Sequence, residues 1–200
     1  MSRLALVERT KLNLSEVTVV MAGTSSLELD ILRQVLAGFG ARQIRRAEDA
    51  KQLSDQLKGV DYDLLLIDVM IGLESALDVV RTVRRRQDDR RFTPVILTTA
   101  NATASMVSQA RNSGANFVVS KPFAPVVLFE RLVWIVKDAR SFVEADNYAG
   151  PDRRVRPIGP PAGMDGRRQG DLSVEVGEAS APNMSQVDID AMMFPVRKSA

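Results

Sequence analysis

Residues 62–70, YDLLLIDVM, run four apolar side chains straight into the carboxylate of Asp68. A run that short and that apolar reads as a strand buried on both faces. A carboxylate at its end is costly to desolvate unless a cation answers it. Asp68 is therefore the first residue placed to do chemistry. The 200-residue chain has no cysteine and no histidine. That excludes disulfides, thiol or Ser-His-Asp catalysis, the usual zinc ligands and a phosphohistidine. Any chemistry must run on carboxylates, hydroxyls, lysine and arginine.

The surrounding elements alternate. Residues 17–23, 42–46, 63–68, 93–100 and 116–120 read as strands, the second polar enough for a sheet edge. Residues 26–40, 48–59, 73–87, 102–114 and 125–140 carry helical spacing. In the first helix Leu27, Ile31, Val35 and Leu36 form the apolar set, and Gly114 and Pro125 suit a helix end and a first turn. Five such pairs predict an α/β fold, a doubly wound (βα)5 parallel sheet with the site at the C-terminal strand ends. Residues 1–14 read as an N-terminal extension, 15–144 as the domain and 145–200 as a Gly/Pro/Arg-containing, largely disordered tail. Arg3, Glu8, Arg9 and Lys11 break up the N-terminus, so it is no signal peptide, and no apolar run approaches a membrane span. A cytoplasmic chain with no membrane contact is expected. The formal net charge of +2 gives no steer toward nucleic acid.

Residues 15–140 resemble the CheY-like receiver domain of two-component response regulators. Three matches carry this: Asp68 after DLLLI, Thr99 in PVILTTAN and Lys121 in VVSKPF. The resemblance implies a flavodoxin-like strand order of 2-1-3-4-5 and Asp68 as phosphoacceptor. It makes Thr99 the switch hydroxyl and Lys121 the phosphate-contacting cation, with a cis bond to Pro122. The carboxylate would attack phosphorus to give an acyl phosphate, and positioning and charge neutralisation would carry the reaction. Mg2+ would be held by oxygen ligands. The family's acidic pair at the end of the first strand is replaced here by Gly23 and Thr24, or in a shifted register by Ala22 and Gly23. Glu16 and Glu28 read as out of reach, one at the wrong end of the strand and one inside the helix. That leaves Asp68 and the Met70 backbone carbonyl as metal ligands, so weak or absent Mg2+ is expected. Two readings follow: a weak phosphoreceiver, and a favoured pseudo-receiver in which an Asp68–Lys121 pair is structural. On either, the chain is a stand-alone signalling protein and no enzyme. It would meet a histidine kinase, a phosphotransfer protein or a motor or target protein.

Two further surfaces stand out. In the fifth helix Leu128, Leu132, Ile135 and Val136 suffice for a core face. Val126, Val127, Val133 and Trp134 are left over as a partner face. The resemblance implies that the face of the fourth helix, fifth strand and fifth helix docks targets or a second copy; alternatively, the tail or N-terminal segment folds over it. Arg42, Arg45 and Arg46, and the cluster Arg81, Arg84–Arg86, Arg90 and Arg91, read as solvated faces, the second alternatively as a surface for an acidic partner. No reading helix accompanies them, which argues against DNA. In the tail, Arg153, Arg154, Arg167 and Arg168 form two Arg pairs beside Asp and Gly. They resemble the arginine-rich tails of CheY-like proteins that bind cyclic-di-GMP and act on the flagellar motor, and bidentate guanidinium–guanine contacts would supply the chemistry. Ile189, Met192, Met193 and Phe194 form a small apolar patch, read either as a docking motif or as a floppy end.

Overall fold

The computed structural model describes residues 12–59, 61–137, 140–153 and 183–193. Five strands, β1 (Thr18–Ala22), β2 (Gln43–Ala47), β3 (Leu64–Asp68), β6 (Val95–Thr99) and β7 (Phe117–Ser120), form one parallel sheet in the order β2-β1-β3-β6-β7. This is the expected 2-1-3-4-5 order. Two-residue strands β4 (Met70–Ile71) and β5 (Glu74–Ser75) form a small hairpin after β3. The helices are α1 (Ser26–Gly38), α2 (Ala50–Gly59), α3 (Ala76–Arg84), α4 (Ala104–Ser113) and α5 (Pro125–Val136). A hairpin of β8 (Phe142–Ala145) and β9 (Tyr148–Pro151) and a last helix, α6 (Gln186–Met193), complete the described elements. Among the described residues, no helix is long and apolar enough to cross a membrane.

Strand alternation divides the core between the two sheet faces. Val19, Met21, Leu64, Leu66, Ile96 and Phe117 meet Leu29 and Leu36 of α1 and Leu128 and Leu132 of α5. Val20, Leu65, Ile67, Leu97 and Val118 meet Leu53 of α2, Val80 of α3 and Val107 of α4. Every residue of β6 is buried, as are Leu64–Ile67 of β3. The central strands are covered on both sides, which is why they read as continuous apolar runs.

The structure corrects several sequence expectations. The third helix starts at Ala76, not residue 73, because the β4–β5 hairpin turns at Gly72 (φ +68°) and Ser75 caps the helix, its Oγ accepting from Leu77 N at 3.3 Å. In α1 the buried stripe is Leu29 and Leu36, while Leu27 and Ile31 are 69% and 53% exposed. The helix carries two apolar stripes, and spacing alone did not select which one faces the sheet. Val136 is exposed because α5 ends there rather than at residue 140.

Arg84, expected on a solvated face, is buried. Its guanidinium donates to Gly114 O (2.9 Å), Arg91 O and Thr93 O (both 2.7 Å) and Asn116 Oδ1 (2.9 Å). Burial pulls its pKa down to about 10, which still leaves it charged at neutral pH. The tail is not uniformly unstructured either. The 144/145 boundary falls inside β8, and the hairpin packs back on the domain. Gly114 (φ +97°) and Gly150 (φ +157°) meet backbone to backbone: a Cβ on Gly150 would lie 2.8 Å from Gly114 Cα. Arg91 pairs with Glu144 at 2.5 Å, and Phe142 stacks edge-on against Phe92 at 4.8 Å.

Lysine at position 84 cannot reproduce a fork that reaches four acceptors. Arg84→Lys is expected to cost about 2 kcal/mol or more, because buried acceptors lose their donors. The denaturant midpoint should fall with an unchanged slope. A change under about 0.5 kcal/mol, the level of an ordinary surface substitution, would show the fork to be dispensable.

Candidate functional site

Asp68 is the last residue of β3, and its register partner on β6 is Thr98. Lys121 follows β7 directly, and its peptide bond to Pro122 is cis. Parallel pairing of β3, β6 and β7 brings Asp68, Thr99 and Lys121 to one end of the sheet. Lys121 N donates to Thr99 O at 2.7 Å, tying the two loops together. Lys121 Nζ donates to Asp68 Oδ2 at 2.5 Å. That is the cation the buried carboxylate required. The Asp68 and Lys121 side chains are 20% and 17% exposed, so their attraction is only partly screened.

A second carboxylate shares the ammonium. Glu28 Oε2 accepts from Lys121 Nζ at 2.6 Å. This corrects the expectation that Glu28 stays out of reach inside α1. Ser25 caps that helix, its Oγ accepting from Glu28 N at 3.3 Å, so Glu28 lies in the first turn. The first turn after β1 sits at the strand ends, beside the pocket. The pattern Ser25-x-x-Glu28 was a legible sign of it, since a Ser followed three residues later by Glu marks a helix start. Burial is the largest single influence on Lys121 and pulls its pKa down. The bonds to Asp68 and Glu28 together outweigh it, and the net shift is upward.

Gly23 lies beside Asp68: a Cβ there would sit 3.6 Å from Asp68 Cβ, an ordinary contact. Thr99 is buried, and its Oγ1 accepts from Asn101 N at 3.1 Å. Met70 is paired with Ser75 in the small hairpin, its side chain half exposed. A receiver fold implies magnesium next to the phosphoacceptor. The donors on hand are Asp68 and Glu28, both already on Lys121, and the described residues gather no group of three metal-ligating side chains. Magnesium is commonly held by one or two carboxylates together with waters and phosphate oxygens, and here both carboxylates are engaged by the Lys121 ammonium. Two surface hollows lie elsewhere: one of about 220 Å³ involves Asn116, Arg140 and Phe142, and one of about 380 Å³ involves Arg85 and Tyr148. Neither is lined by Asp68, Thr99 or Lys121.

Of the four apolar residues assigned to a partner face, Val126 is 46% exposed. Val127 and Trp134 pack against the core, Trp134 lying 5.8 Å from the Phe117 ring, and Val133 is half-buried. Arg153 stacks on Tyr148 at 3.8 Å and donates to Asn112 Oδ1. Arg154, Arg167, Arg168 and Phe194 lie outside the described residues.

Comparison with known proteins agrees with this geometry. Residues 19–133 match the family model of the response regulator receiver domain, and the chain belongs to that family. It is 29% identical over 103 residues to the chemotaxis protein CheY of Pseudomonas aeruginosa, covering 51% of this chain and 82% of that one. It is 26% identical over 102 residues to chemotaxis protein CheY-3 of Vibrio cholerae, covering 51% and 78%. Among solved structures, a response regulator from Chloroflexus aurantiacus superposes with a TM-score of 0.56 at 24% identity, over 61% of this chain and 98% of that one. Chemotaxis response regulator CheY4 of Vibrio cholerae gives 0.54 at 22%, over 60% and 98%. The chain is thus a receiver domain of two-component signalling.

The raised Lys121 pKa fixes a pH window. The unfolded lysine titrates near about 10.4. The stabilisation its charge contributes is complete below that value and is lost as pH rises through the higher folded value. Glu28→Gln removes one of the two supporting bonds and lowers the folded value. Thermal melts from neutral to strongly alkaline pH should show a smaller alkaline loss in the variant, with the same onset and an end at lower pH. The difference from wild type, modest because Glu28 is half exposed, is present at neutrality and disappears once the lysine is deprotonated in both. Superimposable alkaline limbs would remove Glu28 from the pocket's electrostatics.

Proposed function

We propose that this receiver domain signals through protein–protein contacts, with phosphoryl transfer to Asp68 that is slow because the pocket holds magnesium poorly. The observation that supports this is the shared ammonium: Asp68 and Glu28 both sit on Lys121 Nζ, while positions 23 and 24 offer no carboxylate. An incoming phosphoryl group brings more negative charge, and lysine alone must offset it. In the transfer, an Asp68 carboxylate oxygen bonds to phosphorus as the donor's P–O or P–N bond breaks. Lys121 turns to a phosphoryl oxygen, and Thr99 Oγ1 leaves Asn101 N to donate to another.

The partner that fits is a phosphoryl-donor protein, a histidine kinase or a phosphotransfer protein. Apolar side chains rim the same end of the sheet: Leu27 (69% exposed) and Ile31 (53%) on α1, Met70 (48%) and Leu73 (99%) after β3, and Val126 (46%) at the start of α5. Exposed apolar area around a polar centre is the pattern of a docking site.

Intact-mass measurement after incubation with a small-molecule phosphodonor and magnesium tests this. Wild type should give a trace adduct or none, and Asp68→Asn none. Gly23→Asp, for which the backbone leaves ordinary room, restores a carboxylate beside Asp68. It should raise both magnesium affinity and adduct formation by roughly ten-fold or more, one unit charge near a divalent ion being worth at least that. Rapid, magnesium-dependent labelling of the wild type would sink the slow-transfer reading. A Gly23→Asp variant that stays unlabelled would show that the missing carboxylate is not what limits transfer.

A further inference from the structure

The segment 183–193 is docked against the groove between α4, β7 and α5, and its contacts are those of a ligand. β7 is an edge strand of the sheet, with outward backbone groups in need of partners. The Gln186 side-chain amide supplies them: Ser120 N donates to Gln186 Oε1 and Gln186 Nε2 donates to Val118 O, both at 2.8 Å. One side chain thus does the work of a neighbouring strand. Ile189 and Met193 are buried in the same core as Val107 and Val118. Arg131 of α5, itself 3% exposed, donates through Nε to Asp190 Oδ1 at 3.3 Å and through Nη2 to Asp190 Oδ2, while its guanidinium lies 4.8 Å over Trp134. Arg140 Nη1 caps the far end on Met193 O at 3.0 Å. Ser185 caps the near end, accepting from Asp188 N at 3.2 Å.

The segment also grips the loop that follows Thr99. Asn183 Nδ2 donates to Ala100 O and Ala102 N donates to Asn183 Oδ1, both at 2.9 Å, and Met184 N donates to Ala102 O at 3.0 Å. The groove is cationic where the segment is acidic, Arg131 facing Asp190 and Arg140 the helix C-terminus.

We propose that the chain's own segment 183–193 is a tethered, displaceable occupant of this groove, an autoinhibitory helix held through Gln186, Ile189, Asp190 and Met193. Docked, the segment closes the α4–β7–α5 face. Because it holds the loop behind Thr99, any rearrangement of that loop alters its hold, and release alters the loop in return. The tether makes docking intramolecular and raises the effective concentration of the segment, so a competing helix must outbid it. The inference needs no phosphate on Asp68, so it and the slow-transfer reading can fail separately.

The test is titration of a labelled synthetic peptide of residues 181–195 into the full chain, with no phosphodonor present. Wild type should bind at least about ten-fold more weakly than a full-length Ile189→Asp/Met193→Asp variant whose own segment is disabled. An Asp190→Arg peptide should bind neither of these and should recover binding to the disabled chain carrying Arg131→Glu. Equal affinities for wild type and the disabled variant, or no binding to a disabled variant with a wild-type circular dichroism spectrum, would overturn the proposal. Amide hydrogen exchange on the unmodified protein decides the matter even if that variant misfolds. Amides of 186–193 should exchange at least about 100-fold faster than those of β3 and β6, through local release. Exchange as slow as the sheet would mark α6 as a fixed part of the fold and overturn the proposal. Segment exchange between copies, seen as a concentration-dependent dimer that the disabled variant lacks, would overturn closure in cis.

Discussion

A carboxylate at the end of a strand buried on both faces cannot stand alone, and Lys121 is the answer the fold provides. The constraint reaches well beyond the pair. To place the ammonium 2.5 Å from Asp68, β7 must end level with β3, two strands away, with β6 between them. The chain then leaves β7 through a cis peptide bond and turns at once into α5. The first turn of α1 is drawn in as well, because Glu28 shares the same nitrogen. Three crossovers therefore converge on one cation, and the loops that carry Asp68, Thr99 and Lys121 are positioned by the same contact.

Much of this was legible in the sequence. The strand and helix alternation could be read from spacing and residue type, while the strand order and the three residues at the strand ends were implied by the receiver resemblance. What escaped was decided by tertiary geometry. Glu28 looked like a helix-surface acid until its place in the first turn brought it to Lys121. Leu27 and Ile31 looked like core and are exposed, because two apolar stripes on α1 competed and the sheet took the other. Arg84 sat in a run of arginines that resembled a solvated face. Only the fold places four acceptors around it, the carbonyls of Arg91, Thr93 and Gly114 and the side-chain oxygen of Asn116.

The same holds for the C-terminal part. Gly and Pro content there suggested a chain unable to form a core. Residues 142–151 pair as a hairpin that meets the domain through the Gly114–Gly150 approach, the Arg91–Glu144 ion pair and the Phe92–Phe142 contact, so at Gly150 glycine marks close backbone approach. Residues 186–193 have a weak apolar pattern alone. They form a helix packed on a surface that supplies Arg131, Arg140 and the edge of β7.

Gln186 shields the polar edge of β7 with a single amide group. A strand edge covered by another strand is guarded by a whole ladder of bonds, whereas this one is guarded by two. Whenever the amide leaves, Val118 and Ser120 present bare backbone in register for strand addition. Two bonds from one glutamine thus stand where a neighbouring strand's ladder would otherwise close the edge.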